Sequence, residues 1–176
     1  AIGASTGGPL VLRDILAKLP AAYPLPILIV QHIARGFIRG FAEWLSRASG
    51  FPVTIAAHGV RILPGQAYLA PDEFHMGVSD DFLIVLSEET KTNYRPCPSV
   101  AHLFRSVAAA FGSKSAGVLL TGMGSDGAAE LKMMMDMGAL TIAQDAASSI
   151  VHGMPGEAIK LHAAACILPP GEIADL

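Results

Sequence analysis

Short apolar runs alternate along the chain with longer segments in which apolar residues recur every three or four positions. The runs at residues 27–30, 117–120 and 140–143 have the length and composition of strands buried on both faces, as in a parallel sheet. The longer segments predict amphipathic helices, and the first, at residues 9–18, opens on a proline, which is favoured at the first helical position. This alternation predicts the α/β class, with a doubly wound, mostly parallel central sheet and flanking helices.

The remaining elements are predicted from the same periodicities and from residues that begin or end helices. Further strands are expected at residues 2–3, 53–55, 67–69 and 166–168, and further helices at residues 37–48, from Ser99 to Gly112, at 128–137, from Pro155 and, cut short, at 172–176. Residues 76–78 and 82–86 alternate between apolar and polar positions on either side of residues 79–81, which indicates an antiparallel β-hairpin. Residues 88–98 are polar and contain prolines, so a surface loop is expected there.

Composition and charge narrow the class of protein. With 176 residues, 52% of them hydrophobic and 15% charged, the chain can bury one core, so residues 1–176 are expected to form a single domain. The mean hydropathy is +0.48, but the most apolar stretch, residues 19–30, is short and interrupted by prolines, so membrane insertion is not expected. The net charge is −3 with no basic stripe, which argues against a nucleic-acid partner. Cys97 and Cys166 form neither a disulfide framework nor a CxxC pair, as expected of a cytoplasmic protein.

The first segment that suggests chemistry is Gly-Ala-Ser-Thr-Gly-Gly at residues 3–8. It matches G-x-S-x-G, in which glycines allow a sharp turn between a strand and a helix and expose the hydroxyl of Ser5 as a nucleophile. The N-terminus of the following helix favours negative charge beside the turn. Such a run also occurs as a helix cap or a phosphate cradle, so the pattern alone leaves these alternatives open.

His32 lies at the end of a predicted buried strand, where it can act as a general base. The other five histidines lie in predicted loops or helices and are interpreted as surface or core-edge residues. None has the spacing of a ligand motif such as HExxH, so no metal and no cofactor are expected. Because the carboxyl ends of parallel strands meet at one edge of a sheet, Ser5 and His32 are expected to lie close together.

A glycine-rich loop, Thr-Gly-Met-Gly-Ser-Asp-Gly at residues 121–127, follows another buried strand and has two interpretations. Gly122, Gly124 and Gly127 satisfy G-x-G-x-x-G, which predicts a dinucleotide-binding oxidoreductase. Against this, Asp126 would place a carboxylate in the turn that holds a pyrophosphate, where like charges repel. In a hydrolase the same carboxylate can orient a histidine, and free amides of the loop can bind an oxyanion.

Five segments together resemble the catalytic domain of the bacterial chemotaxis protein-glutamate methylesterases, the CheB family. They are residues 3–8, Gln31-His32, Tyr-Leu-Ala-Pro at 68–71, the loop at 121–127 and Gly-Met-Pro at 153–155, and they span nearly the whole chain. The resemblance implies a serine hydrolase that converts glutamate methyl esters on chemoreceptors to glutamate and methanol. It also implies deamidation of receptor glutamines.

The resemblance further implies site residues and partners. Ser5, His32 and Asp126 fall on the family's catalytic triad, and Thr6 and Met123 fall on positions associated with its oxyanion site. The implied partners are the cytoplasmic domains of methyl-accepting chemoreceptors, an upstream receiver domain and the kinase that phosphorylates it. Because the chain opens directly before the first motif, we expect a catalytic domain excised from a longer protein.

Two positions depart from the family pattern. An aspartate is expected where Ala101 stands, and the segment Pro-Asp-Glu at residues 71–73 lacks a glycine after the proline. Neither departure touches the triad, but both are expected to alter substrate recognition or the type of receptor served.

Overall fold

The computed structural model describes residues 1–20, 22–88 and 96–176, which form an α/β fold. The strands are β1 (Ile2–Ala4), β2 (Ile27–Gln31), β3 (Val53–Ile55), β4 (Ala67–Leu69), β5 (Phe74–Val78), β6 (Ile84–Glu88), β7 (Ala116–Leu119), β8 (Leu140–Gln144) and β9 (Cys166–Leu168). The helices are α1 (Gly8–Lys18), α2 (Ile38–Ser49), α3 (Val100–Phe111), α4 (Ala128–Asp136), α5 (Met154–Lys160) and α6 (Pro170–Ile173), with a short 3-10 helix at Gly112–Lys114. The predicted fold class is confirmed.

Among the described residues, seven strands form one sheet in the order β3-β4-β2-β1-β7-β8-β9, and every neighbouring pair in it is parallel. The connection from β1 runs through α1 to β2 on one side, whereas β7, on the other side of β1, leads through α4 to β8. The strand order therefore changes direction between β1 and β7. In open sheets of this kind a ligand binds outside the carboxyl ends of the strands at that point.

Two hydrophobic cores pack against the two faces of the sheet, because alternate side chains of a strand point in opposite directions. Leu28 and Val30 of β2 belong to the core that contains residues of α3, α4 and α5. Ile27 and Ile29 of the same strand belong to the core that contains residues of α1, α2 and α6. The sheet is thus covered on both faces, and its strand ends form a rigid support for the loops that follow them. No helix within the described residues is long and apolar enough to cross a bilayer.

The hairpin and the last helix differ most from their predicted bounds, and the first hairpin strand begins at Phe74 where residue 76 is predicted. The second hairpin strand is predicted from residue 82, but Phe82 lies in the turn with φ 63°, where its ring packs on Phe111 at 5.0 Å between centroids, and β6 begins at Ile84. A helix is predicted at residues 172–176, but α6 begins at Pro170, because proline is already shaped for the first turn of a helix, and ends at Ile173. Of the surface loop predicted at residues 88–98, residues 89–95 lie outside the described residues, and Glu88 ends β6.

Candidate active site

Ser5 lies on a sharp turn between β1, the central strand of the sheet, and α1. Its backbone N–H donates to the carbonyl of Thr121 at 3.0 Å, and its own carbonyl accepts from the N–H of Gly8 at 2.8 Å. Gly7 has φ 84°, and a Cβ there would lie only 2.8 Å from Cβ of Ile150. Both features require glycine at position 7, as the predicted nucleophile turn demands.

The side chains of His32 and Asp126 are joined directly. His32 Nε2 lies 2.9 Å from Asp126 Oδ2, and both side chains are mostly buried. The backbone N–H of His32 donates to the carbonyl of Ala4, the residue before Ser5, at 2.9 Å. Among the described residues no hydrogen bond joins the Ser5 hydroxyl to His32, so the structure brings these two together through the main chain. Because Nε2 faces Asp126, Nδ1 is the ring nitrogen left for exchange with a nucleophile.

Asp126 is held by the N-terminus of α3 as well as by His32. Its Oδ1 accepts hydrogen bonds from the Ser99 hydroxyl at 2.9 Å and from the Ala101 N–H at 3.0 Å. Its Oδ2 accepts from the Val100 N–H at 2.7 Å, in addition to the contact with His32. The first amides of a helix are unpaired within the helix and carry partial positive charge, so they favour a carboxylate. The orientation of the carboxylate is therefore fixed at both oxygens.

The pKa of Asp126 lies below its ordinary value. Burial is the largest single influence and raises this pKa, but it is outweighed by the hydrogen bond from His32, the backbone hydrogen bonds from Ala101 and Val100, and the charge of His32. The carboxylate is consequently ionised at neutral pH. An ionised carboxylate in this position can both orient an imidazole and stabilise its protonated form.

The glycine-rich loop at residues 121–127 approaches Ser5 closely. A Cβ on Gly122 would lie 2.6 Å from Cβ of Ser5 and 2.5 Å from Sδ of Met154. The Gly122 carbonyl accepts from the N–H groups of Gly153 and Met154 at 3.0 and 2.9 Å. Glycine at position 122 therefore lets the loop pack against the nucleophile turn and the start of α5 at the same time.

Two backbone N–H groups near Ser5 belong to different loops. Thr6 follows Ser5 directly, and Met123 follows Gly122, which packs on Ser5. Neither N–H donates a hydrogen bond within the described residues, and the Met123 side chain is 77% exposed. Free amides beside a nucleophile are candidates for binding the oxyanion in acyl transfer.

A cleft of about 600 Å³ lies on the Asp126 side of His32. Its lining includes His32, Ala101, Met123, Asp126 and Glu130. Its walls are the loop at residues 121–127 and the starts of α3 and α4. Among the described residues no group of three His, Cys, Asp or Glu side chains could hold a metal ion.

The sequence identifies Ser99 as a helix cap but does not reveal that it also donates to Asp126. The only available signal is the cap itself, because an N-cap marks a helix end whose free amides can receive an anion. Nothing in the sequence indicates that this helix end meets a loop 25 to 27 residues further along the chain.

The two departures from the family pattern have defined places. The Ala101 side chain is buried, and its N–H holds Asp126. Asp72 Oδ2 accepts from the Gly36 N–H at 2.8 Å, and Glu73 forms an exposed ion pair with Arg35 at 2.8 Å. Residues 72 and 73 therefore contact the loop between His32 and α2.

The glycines of the predicted dinucleotide fingerprint make room for protein atoms. Gly122 packs on Ser5, and a Cβ on Gly127 would lie 2.4 Å from a methyl carbon of Val100. Gly124 has φ 86° with open space beside it. Asp126 turns its carboxylate toward α3, so the loop carries a fixed negative charge where a pyrophosphate would have to bind.

Among known protein families, the chain matches the CheB methylesterase family over residues 1–176. The chain is 58% identical over 173 residues to a protein-glutamate methylesterase/protein-glutamine glutaminase of Geobacter metallireducens, covering 98% of this chain and 50% of that protein. It is 57% identical over 174 residues to a protein of the same name from Syntrophus aciditrophicus, covering 99% of this chain and 49% of that protein. It also resembles the crystal structure of the Thermotoga maritima CheB methylesterase catalytic domain, with a TM-score of 0.93 and 35% identity over 99% of this chain and 93% of that chain.

The chain spans about half the length of the curated relatives it matches. These relatives are named as esterases and glutaminases, so the dinucleotide-binding alternative for Gly122, Gly124 and Gly127 is not supported. The family match covers every motif on which the resemblance depends. The chain belongs to the CheB methylesterase family.

Proposed function

We propose that this chain is a serine hydrolase that demethylates glutamate methyl esters on chemoreceptors, releasing methanol. In this proposal Ser5 is the nucleophile, His32 is the general base and Asp126 orients the imidazole. The observation that carries the proposal is the 2.9 Å contact between His32 and Asp126 beside the turn that bears Ser5. The Asp126 carboxylate in this contact is held by further hydrogen-bond donors. The names of the relatives support the substrate class.

The reaction proceeds in two acyl-transfer steps. The Ser5 hydroxyl attacks the ester carbonyl carbon while Nδ1 of His32 takes its proton. The carbon–oxygen bond to the methoxy group then breaks, and His32 returns the proton so that methanol leaves. Water, deprotonated by His32, attacks the acyl carbon of the acyl-Ser5 ester. The bond from this carbon to Ser5 Oγ then breaks, Oγ takes the proton back from His32, and the glutamate side chain is released. Asp126 stabilises the imidazolium in both steps.

The N–H groups of Thr6 and Met123 are proposed to bind the oxyanion of each tetrahedral intermediate. Both are free of hydrogen bonds within the described residues and lie on the two loops that meet at Ser5. Donors that are already fixed in place need no reorganisation as charge develops on the oxygen. Removal of one such donor in other hydrolases lowers turnover by about 10²–10³-fold.

The same residues support deamidation of glutamine. A glutamine side chain gives the same acyl-Ser5 intermediate, and ammonia leaves in place of methanol after taking the proton from His32. An amide is the harder substrate because its leaving group must be protonated as the bond breaks. The relatives are named for both activities.

The surroundings of Ser5 favour a protein substrate over a free small ester. Met123 and Ile150 are 77% and 71% exposed, and both lie beside the nucleophile turn. Apolar side chains exposed around a site can contact a receptor segment on either side of the modified glutamate. Binding energy from these contacts can then be used at the reacting carbon.

Regulation from outside the chain is also proposed. The curated relatives are about twice as long as this chain, which leaves room for an upstream receiver domain. A receiver docked over the strand ends would cover Ser5 and His32, and phosphorylation by its kinase would shift the population toward an open site. Action on receptor cytoplasmic domains places the enzyme in the cytoplasm.

Methanol release tests the proposed function. It is measured with a methylated receptor cytoplasmic fragment and with a small methyl ester. The proteins compared are the unmodified chain, Ser5→Ala and a control, Ser113→Ala, at an exposed position before β7, whereas the site residues follow their strands. We expect a higher kcat/KM with the receptor fragment and a loss of about 10⁴-fold or more in Ser5→Ala only. Near-normal release by Ser5→Ala would overturn the nucleophile assignment, and equal kcat/KM for both substrates would overturn protein specificity.

A further inference from the structure

We propose that Gln31 is a positioning residue that holds Ser5 and His32 in register for proton transfer, an inference that rests on the proposed function. Gln31 ends β2 and is 3% exposed. Its Nε2 donates to the carbonyl oxygen of Ser5 at 2.9 Å and to the carbonyl oxygen of His32 at 2.9 Å. One buried side-chain amide thus binds the main chain of both residues that exchange the proton.

The two carbonyl groups determine which way the Gln31 carboxamide points. Both are acceptors, so the reversed orientation would set Oε1 against two carbonyl oxygens. In the observed orientation Oε1 has no hydrogen-bond partner among the described residues. It faces the start of α1, where a Cβ on Gly8 would lie 2.2 Å from it. A buried acceptor left unpaired lowers stability, and such losses are concentrated at functional sites.

The main-chain register matters because no hydrogen bond among the described residues joins the Ser5 hydroxyl to His32. The backbone hydrogen bond from His32 to the Ala4 carbonyl, at 2.9 Å, fixes one point between the two segments. The bridge through Gln31 fixes a second point, which joins the carbonyl of Ser5 on one segment to the carbonyl of His32 on the other. Two points fix both the separation and the orientation of the segments. A misplacement of about 1 Å between reacting groups can lower the rate by ~10²-fold.

Replacement of the amide by an apolar group of similar shape tests the inference. Gln31→Met fills the same volume and donates nothing, so we expect kcat to fall on the order of 10²-fold, with KM changed less than about threefold. The rate at which a fluorophosphonate labels Ser5 should fall by a similar factor. The matched control is Tyr68→Phe, which removes a buried hydroxyl that bonds to Leu63 N–H at 3.0 Å and Arg61 carbonyl at 3.5 Å, in a strand beyond β2.

The control separates positioning from general loss of stability. All variants are assayed below their measured melting temperatures, and Tyr68→Phe should keep kcat within about twofold while its Tm falls. Gln31→Glu is a second variant that keeps the shape but offers at most one proton, so we expect at least a tenfold loss of kcat throughout pH 6–9. Retention of kcat within about threefold in either Gln31 variant would overturn the inference. So would an equal loss in Tyr68→Phe. An unmodified chain that releases no methanol would instead overturn the proposed function.

Discussion

For Asp126→Asn the structure predicts a loss of both stability and turnover. Each carboxylate oxygen accepts one backbone N–H of α3, Oδ1 from Ala101 and Oδ2 from Val100. An asparagine has one acceptor oxygen and one donor nitrogen. In either orientation of the amide, one of these two N–H groups therefore faces another donor and loses its partner.

The magnitudes follow from these contacts. A buried donor left without its acceptor lowers stability by about 1–3 kcal/mol, so we expect a loss of about 2 kcal/mol in the free energy of unfolding. For a chain of this length that corresponds to a fall in Tm of roughly 4–8 °C. Turnover should fall by ~10⁴-fold, because an amide that donates to His32 Nε2 favours the wrong tautomer of the imidazole.

The assay measures methanol release from a methylated receptor fragment together with thermal unfolding at the same pH. Asp14→Asn is the matched control, since it makes the same change of charge at a side chain that is 56% exposed and, among the residues that the structure describes, pairs with its neighbour Arg13 alone. The control should keep full activity and an unchanged Tm. An Asp126→Asn variant that keeps more than about a tenth of the turnover would refute the role of this carboxylate.

Three further predictions use the same measurements. The folded-state pKa of Asp126 is lowered, so its carboxylate stabilises the fold above its unfolded pKa of about 3.9, and this contribution is lost as the pH falls through the lower folded pKa. The difference in Tm between the unmodified chain and Asp126→Asn should therefore disappear below about pH 4. A constant difference from pH 7 to pH 3 would contradict this. Ser99→Ala should lower the free energy of unfolding by about 1 kcal/mol and kcat by roughly tenfold, whereas Ser99→Thr should retain the stability and the kcat of the unmodified chain. Equal kcat in the two variants would count against a role for the hydrogen bond to Asp126. Gly122→Ala should lower kcat/KM by ~10²-fold or more, because its Cβ would lie 2.6 Å from Cβ of Ser5. The control Gly40→Ala, at a position with open space around it, should leave activity intact, and an active Gly122→Ala would disprove the close approach.

The fold could be predicted from the sequence because its signals are local. Strand β7 is an apolar run followed by glycine-rich sequence, and α3 begins at a serine cap. The position of Phe82 could not be predicted, because its left-handed backbone depends on packing against Phe111 across the fold. Local patterns contain no information on such long-range contacts.

The three central residues of the candidate site could be predicted from the sequence, but the contacts that hold them in place could not. Ser5, His32 and Asp126 follow three strands whose carboxyl ends meet at one edge of a parallel sheet, so their convergence follows from the fold class. The anchoring of Asp126 by α3 could not be predicted, since it depends on where that helix packs. The bridging role of Gln31 depends on the rotamer of a buried side chain, which the sequence does not determine.

Covalent labelling of the nucleophile tests the proposed triad most directly. The chain is treated with a fluorophosphonate, and the adduct is located by mass spectrometry of its peptides in the unmodified chain, His32→Ala and Asp126→Asn. Because only an activated hydroxyl reacts rapidly, we expect a single adduct on Ser5 and a labelling rate at least ~10³-fold lower in both variants. An adduct on another residue, or undiminished labelling of Ser5 in His32→Ala, would contradict the triad.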